Sequence, residues 1–75
     1  MVFETVRTML AECLGCEESR IHEDTVILQD LEATDEDLEE VLMGVEEEYG
    51  VSCPESVMNR IVTVADLVKY IEDHV

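Results

Sequence analysis

From Leu38 to Tyr49 the apolar residues fall at Leu38, Val41, Leu42, Val45 and Tyr49, and acids fill most of the positions between them. Steps of three and four put these five on one side of an α-helix. The wider stretch from Asp30 to Tyr49 holds ten of the chain's 20 acids and none of its four Lys and Arg residues. A helix with one dry face and one strongly negative face therefore crosses the middle of the chain. With 75 residues in all, the segments on either side must cover that dry face. A domain of this size buries only about 60% of its unfolded surface, so little apolar area can be wasted.

The flanking segments have the means. Val2, Phe3, Val6, Met9, Leu10, Cys13 and Leu14 share one face of a helix predicted over 2–14, and Gly15 is placed to stop it. Thr34 is a good N-cap for the acidic helix, with Asp37 three residues on completing a capping box. Gly50 ends that helix, and Pro54 can open a short helical turn through Asn59. Thr63 and Asp66 repeat the box before a last helix that turns Val64, Leu67, Val68 and Ile71 inward, with Val62 stapling onto Leu67. Between the first two helices, 16–33 lacks a long period and reads as a loop pinned by Ile21, Ile27 and Leu31. A strand over 25–28 has no second strand to pair with. So long a loop is uncommon in a small domain unless it has work to do.

The expected fold is all-α: a single domain over 1–75, a small four-helix bundle of three main helices and one short one. Its core is aliphatic, since 47% of residues are hydrophobic but there are one Phe, two Tyr and no Trp. The regular apolar spacing argues against the disorder that high charge can bring.

A formal net charge of −16 excludes nucleic acid as a partner, because phosphate binding needs clustered Lys and Arg. It favours a basic protein partner, or serves only solubility, and it favours a monomer. The opening Met1-Val2-Phe3-Glu4 has neither the basic flank nor the apolar run of a signal peptide. No apolar run approaches the roughly 20 residues that span a bilayer. Three cysteines are a poor basis for a disulfide framework, so free thiols and a cytoplasmic setting are expected.

Cys13-Leu14-Gly15-Cys16 has the spacing of a redox site or of half a zinc site. The redox use needs a βαβ context, and the zinc use needs two more ligands from Cys53, His22 and His74. Cys13 as a small apolar residue on the dry face is the plainer alternative. A calcium loop from Asp30 fails, since Asp35 and Val41 stand where Gly and Glu are required. His22 and His74 have no neighbours in sequence that make them catalytic, and no enzymatic activity is expected.

The stretch VILQDLEATDEDLEEVLMGVEEEYGVSCPE, from Val26 to Glu55, resembles the acyl carrier protein family without a gap. Gln29-Asp30-Leu31, Val41-Leu42-Met43, Glu46-Glu47-Glu48-Tyr49 and the following Pro54 carry the resemblance. Ile61-Val62-Thr63-Val64 and Lys69-Tyr70-Ile71 extend it through the last helix. The family's defining motif is Asp-Ser-Leu at the start of its second helix, where the Ser bears 4′-phosphopantetheine. This chain has Thr34-Asp35-Glu36, so the Ser position is Asp35; a shift of two residues would put Asp37 there. The family's Gly just before is Glu32, Thr34 is one residue early, and Ser19, Ser52 and Ser56 lie elsewhere. The resemblance therefore implies the family's fold without its usual attachment, and no cofactor is expected. Asp35 leaves a negative charge near where a phosphate would sit. The resemblance also implies docking on Lys/Arg patches of acyl-processing enzymes in fatty-acid, polyketide or related metabolism. The acids for this carry over at Asp37, Glu40, Glu46 and Glu47, with Asp35 beside them, and the apolar contact at Met43. Two further apolar contacts of the family are Glu36 and Glu39 here. The alternatives are a working carrier with its group on Thr34 or another hydroxyl, and the Cys-x-x-Cys metal or redox module.

Overall fold

Polar residues at the helix ends divide the chain where the spacing predicts. In the computed structural model, which describes residues 2–75, the helices are α1 (Val2–Leu14), α2 (Ile27–Asp30), α3 (Asp35–Tyr49), α4 (Glu55–Met58) and α5 (Val64–His74). A 3-10 turn, Glu18–Arg20, follows α1. Met1 lies outside the described residues. Both capping boxes form. Thr34 Oγ1 accepts the Asp37 N–H at 3.2 Å while Asp37 Oδ2 accepts the Thr34 N–H at 3.0 Å, and Thr63 and Asp66 do the same for α5. Each box satisfies two backbone donors that a helix start leaves open. Gly50 closes α3 in the left-handed conformation, φ 68°, which costs a residue without Cβ little.

The three long helices meet in one aliphatic core. Val6 and Leu10 of α1, Leu38 and Val45 of α3, and Val64, Leu67 and Ile71 of α5 are all but sealed from solvent. α1 packs against both α3 and α5. Each fully buried aliphatic side chain contributes about 1.5–3 kcal/mol. That outweighs the like-charge spacing of Asp35 with Glu39 and Glu36 with Glu40, where each i,i+4 pair costs only about 0.2–0.5 kcal/mol. Ala11 joins the core as well, although its small size keeps it out of an apolar-spacing count. Val62 is 52% exposed, while Leu67 is sealed.

The segment 16–33 differs from the expected loop. Ile21, Ile27 and Leu31 are buried as anchors, but the segment also contains the 3-10 turn and α2. Asp30 Oδ2 accepts the Val26 N–H at 2.8 Å and closes α2 on itself. The segment is stitched to the start of α5: Val26 forms an isolated antiparallel bridge with Thr63, the Ile27 N–H donates to the Val62 carbonyl, and the Val64 N–H to that of Thr25. The extended partner missing from the sequence reading is thus one residue long, too short to leave a period. These bonds tie the chain after α1 to the start of α5. Glu32, at the bend before α3, is the non-glycine residue with positive φ among the described residues, at 54°. The family glycine matches a real backbone need at this bend, and Glu32 meets it at a cost.

Candidate functional site

The wet face of α3 does not stand alone; it shares grooves with its neighbours. Packing of Leu38, Val41, Leu42 and Val45 into the core turns Glu39, Glu40, Met43 and Glu47 outward. Met43 is 61% exposed, the most exposed of the large hydrophobics inside a helix. It stands as a ridge between two hollows. On the α1 side, a groove of about 500 Å³ is lined by Met9, Glu12 and Cys13 together with Glu40, Met43 and Glu47. On the α4 side, a hollow of about 250 Å³ is lined by Glu39, Met43 and Glu46 with Cys53, Glu55 and Met58. None of the four basic residues lines either one. Arg7 pairs with Glu18 at 3.3 Å.

The six residues singled out from the sequence have different employments. Glu40, Met43 and Glu47 come together in the α1–α3 groove. Asp37 is half-buried, and its carboxylate is occupied by the Thr34 cap. Glu46 is half-buried too, and its Oε2 accepts the Cys53 N–H at 2.7 Å, holding the connector after α3. Asp37 and Glu46 are thus committed in part to the fold. Asp35, exposed at the first position of α3, borders a separate apolar hollow of about 310 Å³ with Leu28, Leu38, Met58, Ile61 and Val62. The sequence pattern places Met9 on the dry face of α1 and assigns neither it nor Glu12 to the site. Their position on the edge of the α1 apolar stripe was the available signal, but only the packing of α1 on α3 puts them beside Met43.

Cys13 also belongs to the groove. Its thiol donates to Glu40 Oε2 at 3.4 Å and lies 3.7 Å from the Asp37 carbonyl oxygen. Burial and, next, the hydrogen bond to Glu40 push the Cys13 thiol up from its ordinary value. Burial, with Glu46 beside it, does the same to Cys53. A redox or metal-binding cysteine needs the opposite, a stabilised thiolate. Cys13, Cys16 and Cys53 are all free. Among the described residues no three His, Cys, Asp or Glu side chains are grouped to hold a metal ion, and no helix is long and apolar enough to cross a membrane.

Residues 4–71 match the family profile described as "Phosphopantetheine attachment site". The acyl carrier protein of Helicobacter pylori (strain G27) is 36% identical over 73 residues, 97% of this chain and 94% of that protein. The acyl carrier protein of Thermotoga maritima is 37% identical over 95% of this chain and 88% of its own length. That of Zymomonas mobilis is 38% identical, with 95% and 91% covered.

These matches correct one expectation. A chain aligned from residue 4 to residue 71 with a phosphopantetheine attachment profile has 4′-phosphopantetheine as its indicated prosthetic group, so the expectation of no cofactor is overturned. The loss of one serine was given too much weight against the pattern of the whole chain. The first turn of α3 nevertheless does not fit the usual attachment. A phosphodiester needs an alcohol oxygen, and Asp35 offers a carboxylate whose phosphoryl derivative would be a labile mixed anhydride. The neighbouring Thr34 has the right oxygen, but it is engaged as the helix cap.

Proposed function

The chain belongs to the acyl carrier protein family, and on that premise we propose that it works by docking the acidic face of α3 on basic surfaces of acyl-processing enzymes. The observation that supports this reading most is the juxtaposition of Glu40 and Glu47 around the exposed Met43, with no basic residue in either flanking hollow. Charges around an apolar centre steer the encounter and fix orientation, while the apolar contact supplies the area removed from water. Binding of the native protein and of the Glu40→Lys/Glu47→Lys variant to purified acyl-processing enzymes tests it. Native binding that weakens with salt and is lost in the variant supports docking. Binding indifferent to both reduces the acidic face to a solubility device.

The profile match favours a second reading alongside the first, a working carrier with an unusual attachment residue. Incubation with a phosphopantetheinyl transferase and coenzyme A, followed by intact mass and peptide mapping, identifies the residue that takes the group. A gain mapped to Thr34 supports this reading, and an unchanged mass counts against it.

A further inference from the structure

Three of the eight residues that line the shallow groove between α1 and α3 come from α1, so a docking surface here is not made of α3 alone. Gly44 helps to shape it. A Cβ at Gly44 would lie 2.7 Å from Met9 Cε and would displace that flexible end, so the absence of a side chain lets the Met9 methyl rest on the α3 backbone. The floor is then Met9, Val41 and Gly44, and Glu12 stands on the α1 rim opposite Glu40 and Glu47 on the α3 rim. Methionine is the side chain best able to reshape itself around an incoming apolar group, and this groove has one in its floor and another, Met43, on its edge.

We propose that the α1–α3 groove seats an apolar side chain from an amphipathic helix of a basic partner protein, with Lys or Arg residues of that helix reaching Glu12 and Glu40 on opposite rims. This rests on the docking reading above and extends it to α1. Charge complementarity selects the occupant. A second copy of this chain, at −16, would bring acid against acid, which is destabilising at an interface. A helix suits the shape because residues one turn apart place an apolar group in the groove and cations on both sides of it. The Cys13 thiol, donating to Glu40 inside the wall, would be covered by that helix. Cys16 is half-buried and lies outside the groove lining, so it would not be covered.

The test uses the full chain and a synthetic peptide of Lys and Leu arranged as an amphipathic helix, with a peptide of the same composition scrambled to have no apolar face. The amphipathic peptide is expected to bind at least about tenfold tighter than the scrambled one. Glu12→Gln is expected to weaken it about two- to fivefold, the range for one exposed charge pair. Glu72→Gln, the same charge change on exposed α5, should leave binding within about twofold. Saturating peptide should slow alkylation of Cys13 by iodoacetamide and leave Cys16 unchanged. Equal effects of Glu12→Gln and Glu72→Gln, equal binding of the two peptides, or no protection of Cys13 would each overturn the groove. Loss of binding in Glu40→Lys/Glu47→Lys with none in Glu12→Gln overturns it while leaving docking by α3 in place; indifference to all of these variants removes both.

Discussion

Reversing Glu40 and Glu47 to Lys should move stability and binding in opposite directions. On α3, Glu40 is four residues from Glu36 and three from Asp37, so it takes part in two like-charge neighbourhoods. A Lys there turns both into opposite-charge pairs, in the favourable order with the acid N-terminal, and each change is worth about 0.4–1 kcal/mol. Glu47 lies in the last turn of α3, which has no basic residue. A Lys there meets the negative end of the helix dipole, for about 0.3–1 kcal/mol. The loss of the long Cys13–Glu40 hydrogen bond subtracts little. The sum is a stabilisation of about 1–3 kcal/mol, or roughly 4–24 °C in Tm for a chain of this size. Docking should weaken, since two attractive charges at the groove rim become repulsive, by about 1–3 kcal/mol or roughly five- to 150-fold. Urea unfolding followed by circular dichroism gives the first quantity, and calorimetric titration with a basic partner at low and high salt gives the second. A variant that unfolds at lower urea than the native chain would refute the charge reasoning. A variant more stable but equally well bound would refute the docking.

Three further outcomes follow from the fold. Replacing Leu67, fully sealed in the core, by Ala should cost about 2–5 kcal/mol; set against a total of roughly 4–11 kcal/mol for a chain of this length, urea curves should show a large part of the stability gone. Glu32→Gly removes the side chain from a left-handed position (φ 54°), and after the extra freedom glycine gains when unfolded the net should be a rise of about 0.5 kcal/mol, readable as a higher urea midpoint; a fall would mean that the Glu32 side chain contributes something more than charge. Hydrogen bonds from the Thr63 and Val62 N–H groups hold the Asp66 carboxyl below its ordinary value of 3.8. Since its folded value is the lower one, its contribution is fully present above pH 3.8 and is lost as pH falls through the folded value. The stability gap between the native chain and Asp66→Asn should therefore close in that acid window, and a gap unchanged down to the lowest measurable pH would contradict the assignment.

How much of this was legible beforehand depends on the range of the interaction. Thr34 with Asp37 and Thr63 with Asp66 could be read as boxes because both partners lie within one turn, and both form as read. Val62 as a staple was a similar local inference, and the residue is 52% exposed. The 16–33 segment was opaque because its order comes from hydrogen bonds to residues 35–42 positions away, from Ile27 to Val62, from Val64 to Thr25 and from Ala65 to Glu23. Of the candidate site, Glu40, Met43 and Glu47 were named through the family resemblance, whereas the commitment of Glu46 to the Cys53 N–H was not legible.

The sequence by itself determined that α3 would be a helix, which of its faces would be dry, and that its wet face would be negative, because periodicity and charge are properties of residues a few positions apart. It also carried the family, since the pattern extends over nearly the whole chain even where Asp35 departs from it. Only the tertiary structure decided that the wet face has a second wall. Met9, Glu12 and Cys13 lie some 30 residues before Glu40 and Met43 in the chain, and they meet because burial of Val6 and Leu10 lays α1 against α3. A groove between two helices is made by their packing, and no spacing within either helix encodes it.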